Sequence, residues 1–235
     1  HELRTPLNAI AGYAELIEMG IHGPVTPEQR EALRRVMKSE QHLLGLINAV
    51  LNYARIETGS VQFDIEDVPV DEVIATCESF VTPQARAKAL TLETPDPDPS
   101  LVLRADREKV QQILLNLLAN AIKFTDRTGH ITITRMASES EDGSPTVTIA
   151  VSDTGRGIPA DKLGTIFEPF VQVDPALTRT QQGVGLGLAI SRELARAMNG
   201  NLRASSVVGE GTTLTLTLPR ALPAPHRDLA VLATH

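Results

Sequence analysis

Apolar positions at the start of the chain recur at helical spacing. Leu3, Leu7, Ile10, Ala14 and Ile17 form one stripe and predict a helix over residues 1–20, ending near Gly20 and Gly23. His1, Thr5 and Asn8 fall on a different face. Pro6 has no N–H for the carbonyl of Glu2, which predicts a bend beside His1. Thr26-Pro27-Glu28-Gln29 is a helix-start signal, with Thr at the N-cap, Pro at the first helical position and Gln29 in the capping-box place. The helix it opens runs to about Thr58 and closes at Gly59. Its wide apolar stripe includes Leu33, Val36, Leu43, Ile47, Val50 and Ala54. A lone hairpin buries two such stripes poorly. Pairing two hairpins into a four-helix bundle solves this, the alternative being packing against the rest of the chain.

From Ser60 the pattern changes. Val61, Phe63 and Ile65 alternate as in a strand, 71–90 reads as a helix and 91–100 as a Pro/Asp loop. A strong helical pattern covers 106–124, and strand-like runs follow at 130–136, 146–151 and 213–218. The stretch 153–182, rich in Gly, Pro, Thr and Gln, reads as a long loop. Residues 189–198 form a helix closed by Asn199-Gly200. This order predicts an α/β sandwich, one sheet with helices on one face, over residues 60–220. The helical hairpin occupies 1–59, and 221–235 is a tail.

Composition narrows the function. Aromatics are 3% of the chain with no Trp, which argues against a stacking surface for nucleic acid. A net charge of −7 argues against a broad phosphate-backbone footprint. Cys77 is the only cysteine, so an internal disulfide and a thiolate metal cluster are excluded; it reads as a small buried apolar residue in a reducing compartment. No apolar run is long enough to span a bilayer and no signal peptide is present, so no membrane contact is expected of this stretch. The chain opens inside a helical pattern and reads as a cytoplasmic fragment, whose upstream region could tether it to the inner membrane.

Three segments carry candidate chemistry. Asn116, Asn120 and Lys123 share a face of a helix that is otherwise apolar. Amide oxygens suit a hydrated Mg²⁺ and Lys suits a phosphate; the alternative is that the amides satisfy neighbouring backbone. Asp153 ends a strand and opens the octet SDTGRGIP. A carboxylate there can accept a hydrogen bond from an adenine amino group, and Gly155 and Gly157 allow close backbone approach to a flat ring. An ordinary Asp-Gly turn accounts less well for the whole octet. Gly183, Gly185 and Gly187 precede a helix, an arrangement that cradles phosphate with backbone N–H groups. A dinucleotide fold fails because no strand precedes the glycines, and a Walker loop fails because no Gly-Lys-Ser/Thr follows. Arg179 adds charge near a terminal phosphate or is simply solvated. Phe167 and Phe170 dock their loop against the domain or meet a partner. His1, an imidazole with a carboxylate beside it, suits a nucleophile acting outside its own domain, or is merely a solvated terminus.

Taken together, HELRTPLNAI, NLLANAIKFT, DTGRGIP, FEPF, GVGLGLAI and the later Gly209-Glu210-Gly211-Thr212 closely resemble, in order, the boxes of the sensor histidine kinases of two-component signalling. The resemblance covers the chain up to about Pro219. It implies a homodimeric helical hairpin followed by a Bergerat/GHKL-type ATP-binding domain, with ATP and Mg²⁺ as cofactors and a response-regulator receiver domain as partner. By motif position it implies His1 as phosphoacceptor, Glu2 as its general base and Thr5 as the residue that positions water in dephosphorylation of the regulator. Asn120 and Asn116 would hold Mg²⁺, Lys123 would meet phosphate and Phe124 would pack near adenine. Asp153 would read the adenine amine with support from Thr212, and the glycines would shape the pocket and its lid. Gln182-Gly183-Val184 departs from the frequent Gly-Gly-Thr of the lid. The alternatives are a catalytically weak dimer module that docks a receiver domain, and an ATPase that drives a conformational clamp. Acid-labile phosphate on His1 separates the kinase from both.

Overall fold

A computed structural model describes residues 2, 4–140, 142–172 and 185–221; the statements below concern those residues. His1, Arg179 and Gly183 lie outside them, as does the tail from residue 222. The chain divides into two compact units, one of residues 1–61 with 168–190, the other of 62–167 with 191–235.

The first unit is built on a helical hairpin, α1 (Arg4–Glu18) and α2 (Pro27–Glu57). The capping box at Thr26 forms in both directions: Gln29 N–H donates to Thr26 Oγ1, and Thr26 N–H donates to Gln29 Oε1 at 2.9 Å. Arg4 donates to Asn48 Oδ1, and Arg34 pairs with Glu18, fastening the two helices along their length. The expected stripe is only partly covered within one chain. Leu7 and Ala14 are buried, but Ile10 and Ile17 on α1 and Val36, Leu43 and Val50 on α2 are exposed.

The second unit carries two sheets. β1 (Glu66–Pro69) and β3 (Val102–Ala105) pair antiparallel. The main sheet runs in the order β2-β4-β5-β7-β6, from β2 (Thr91–Glu93), β4 (His130–Glu139), β5 (Pro145–Asp153), β6 (Asn201–Val207) and β7 (Gly211–Pro219). Only the β2–β4 pairing is parallel. Registered rows such as Ile133–Val151–Leu214 put the buried apolar residues on one face. The other face is rich in Ser and Thr, whose hydroxyls pair across strands, as between Ser152 and Thr213 at 2.9 Å. Two helices of this unit, α3 (Val70–Ala87) and α4 (Arg107–Phe124), pack on each other, and α4 also contacts β5. Asp106 caps α4 by accepting from Lys109 N–H at 3.0 Å. Lys88 reaches back to the other end and donates to the carbonyls of Ile122 and Lys123 at 2.7 and 3.0 Å. That satisfies carbonyls which helix geometry leaves without partners and places a cation at the negative end of the dipole. Two short or partial helical elements complete the chain: α5 (Ala160–Leu163) and α6 (Gly187–Ala197).

The sandwich expectation holds, with four local corrections. Residues 61, 63 and 65 alternate but are not a strand; pairing begins only at Glu66, where β3 supplies a partner. The segment 91–100 is not all loop, because Thr91–Glu93 adds a parallel edge strand to β4. β3 and β6 carry no strong alternation and were not expected. α5 interrupts the long loop after Asp153.

Candidate functional site

The second unit brings Asp153, Asn116, Asn120 and Lys123 into one domain. Asp153 is the last residue of β5, registered against Thr212 of β7 and Ile131 of β4. Its Oδ1 accepts from Gly155 N–H at 2.8 Å. Burial holds the Asp153 carboxyl above its ordinary value, opposed by backbone N–H bonds from Gly155 and Thr212. A half-buried carboxylate, anchored by two N–H groups at a sheet end, is a fixed acceptor.

The two glycines after Asp153 have a reason in the protein itself. A Cβ on Gly155 would stand 2.6 Å from the carbonyl oxygen of Phe124, and one on Gly157 would overlap the carbonyl of Val207. Gly157 also has φ of +71°. The close approach they allow is therefore to the end of α4 and to β6, which clamps the loop beside Asp153.

On α4, Val110, Ile113, Leu114, Leu117, Leu118, Ala121 and Ile122 are buried, while Asn116, Asn120, Lys123 and Phe124 are half-buried. The amide stripe thus escapes the core. Asn116 Nδ2 donates to Ser191 Oγ of α6 at 2.9 Å, using the nitrogen edge of the amide. The amide oxygens of Asn116 and Asn120, on adjacent turns, are hard neutral donors. No group of three or more His, Cys, Asp or Glu stands together as a metal cage among the described residues. Such a donor set fits Mg²⁺ that brings water and phosphate oxygens with it.

Lys123 and Arg156 both lie against the Phe124 ring, at 4.9 and 4.8 Å from its centroid. Burial first, and then Arg156, lowers the Lys123 ammonium below the ordinary lysine value. Arg156 sits inside the DTGRGIP motif, yet no sequence signal marked it as a partner of Phe124. Thr212 supports Asp153 as expected, but through its backbone. Its hydroxyl pairs with Ser206 Oγ at 2.9 Å, and only its backbone N–H supports Asp153. Ser206, also unforeseen, donates to Gly211 O and accepts from Ile158 N–H, tying the glycine loop to β6 and β7.

Phe167 is buried, with Arg192 stacked 4.9 Å from its ring centroid, whereas Phe170 is exposed. In the first unit, Glu2 and Thr5 are exposed at the start of the hairpin. Gly185 has φ of +73° and its carbonyl accepts from Phe170 N–H, while Gly187 opens α6.

This geometry defines an α/β sandwich domain in a chain that also carries a helical hairpin. A family model described as "Histidine kinase-, DNA gyrase B-, and HSP90-like ATPase" matches residues 105–222, and one described as "His Kinase A (phospho-acceptor) domain" matches residues 1–59. The chain belongs to the histidine kinase family and comprises its phospho-acceptor and ATPase domains. An uncharacterized sensor-like histidine kinase of Rhizobium meliloti is 40% identical over 220 residues, covering 93% of this chain and 41% of that protein. The sensor histidine kinase GacS of Pseudomonas protegens is 36% identical over 247 residues, covering 100% of this chain and 26% of its own length. The solved structure of full-length ShkA in complex with AMPPNP matches with a TM-score of 0.79 at 34% identity, over 95% of this chain and 45% of that one. The chain spans less than half the length of these relatives. No helix among the described residues is long and apolar enough to cross a membrane.

Proposed function

We propose that this chain is the catalytic core of a sensor histidine kinase, which binds ATP with Mg²⁺, transfers the γ-phosphoryl group to His1 and passes it to an aspartate of a response-regulator receiver domain. The observation that carries this reading is the half-buried Asp153 carboxylate, held by two N–H groups in the same domain as the half-buried Asn116–Asn120–Lys123 stripe. Asp153 accepts from the adenine amino group, which guanine would replace with a carbonyl oxygen. Asn120 and Asn116 offer amide oxygens to Mg²⁺, which when bound neutralises phosphate charge. Lys123 meets phosphate; its lowered ammonium gains charge-stabilising contact when an anion arrives. By motif position Gly183, Gly185 and Gly187 would shape the pocket and its lid, and Arg179 would add charge near the terminal phosphate.

At the phosphoacceptor, a neutral nitrogen of His1 attacks the γ-phosphorus. An N–P bond forms, the bond to the β–γ bridging oxygen breaks, ADP leaves, and Glu2 takes or polarises the imidazole proton. Positioning and charge neutralisation supply most of the acceleration. Thr5 positions water for the reverse duty, hydrolysis of the regulator's aspartyl phosphate. The uncovered stripe on α2 supports a homodimer through a four-helix bundle.

Incubation with γ-labelled ATP and Mg²⁺ tests the proposal. Acid-labile, base-stable label is expected on the wild type and absent from His1→Ala and Asn120→Ala. ATP binding without label would overturn the kinase reading in favour of a dimeric module that docks a receiver domain.

A further inference from the structure

We propose that Ser191 is a positioning residue, whose hydroxyl sets which edge of the Asn116 amide is presented to the Mg²⁺ of the bound nucleotide. This rests on the reading of Asn116 as a metal ligand.

An asparagine amide has two edges of nearly equal shape and opposite character. Its oxygen ligates a hard cation; its NH₂ group repels one. Rotation by a half-turn exchanges them, so a ligating Asn needs something that decides between the two. In this chain the deciding contact is the bond from Asn116 Nδ2 to Ser191 Oγ, at 2.9 Å. Ser191 is 2% exposed, one of few buried polar residues among those described. Water therefore does not compete for its oxygen, and the bond is made in low dielectric, where hydrogen bonds are stronger. A helical serine ordinarily turns its hydroxyl to its own helix. This one receives a bond from a different helix, 75 residues earlier in the chain. With the nitrogen edge engaged by α6, the oxygen edge is the one left for a ligand, on the turn before Asn120. Groups that orient a metal ligand from behind change metal affinity by about 10–100-fold when removed.

The test measures binding of a fluorescent ATP analogue to the whole chain, first in EDTA and then across a Mg²⁺ titration, with melting temperatures alongside. Ser191→Ala is expected to raise the Mg²⁺ needed for half-maximal enhancement by about tenfold. Its affinity in EDTA and its melting temperature should stay near wild type. Asn116→Ala should show a shift at least as large, and the double variant no more than Asn116→Ala alone. Ser191→Thr, which keeps the hydroxyl, should retain the wild-type Mg²⁺ requirement. A Ser191→Ala requirement equal to wild type, beside a shifted Asn116→Ala, would overturn the positioning role alone. An unshifted Asn116→Ala would overturn the ligand reading beneath it. Equal losses by Ser191→Ala in EDTA and in Mg²⁺ would mark a purely structural residue and also overturn the proposal.

Discussion

The backbone N–H of Gly155 donates to Oδ1 of Asp153 at 2.8 Å, closing a tight turn at the end of the central strand β5. Burial outweighs this bond and raises the Asp153 carboxyl above its ordinary value. The folded chain therefore holds that proton more tightly than the unfolded chain does. The resulting contribution to stability is complete below the ordinary carboxylate value and is lost as pH rises through the raised one. Asp153→Asn removes this dependence, so the variant's stability relative to wild type should climb across that window, read from urea unfolding at a series of pH values. ATP affinity should fall about tenfold or more, the weight of one hydrogen bond to a charged group. An unchanged affinity would remove Asp153 from the adenine site.

Gly157 and Gly209 both hold positive φ, +71° and +84°, but only Gly157 lacks room for a side chain. Gly209→Ala is expected to cost about 1 kcal/mol for its backbone conformation alone. Gly157→Ala should cost more, about 3 kcal/mol, because its Cβ meets the backbone of Val207 and displaces the loop that follows Asp153. Chemical denaturation of the two variants side by side checks the order, and ATP affinity should drop only for Gly157→Ala.

Val36, Leu43 and Val50 are spaced seven residues apart on α2 and are 45%, 44% and 42% exposed. That spacing is the seam of a helical bundle. Leu43→Glu combined with Val50→Glu should convert a dimer to a monomer in light scattering. ATP binding, which belongs to the other unit, should persist.

Cys77 is fully buried in α3, and burial pushes its thiol up to about 11. At pH 8 it should resist iodoacetamide while the chain is folded and react once urea unfolds it, since the thiolate is the reactive form. Rapid alkylation of the folded chain would contradict its place in the core.

What the sequence determined by itself was whatever rests on local periodicity and short spacing. The Thr26 capping box, the α4 helix with Asn116, Asn120 and Lys123 on one face, and the place of Asp153 at a strand end were all legible. Each depends on residues within a few positions of one another. The family motifs are legible for the same reason. Tertiary structure decided what depends on residues distant in sequence. β2 and β3 are strands because β4 and β1 lie beside them, not because of their own pattern. Thr212 spends its hydroxyl on Ser206 rather than on Asp153 because β6 and β7 are paired there. Lys88 caps α4 from the end of α3, and Ser191 meets Asn116 only because α6 comes to lie beside α4. Hydrogen-bond partners are chosen by proximity in three dimensions, and proximity between remote segments is a product of the packed core, which no local spacing encodes.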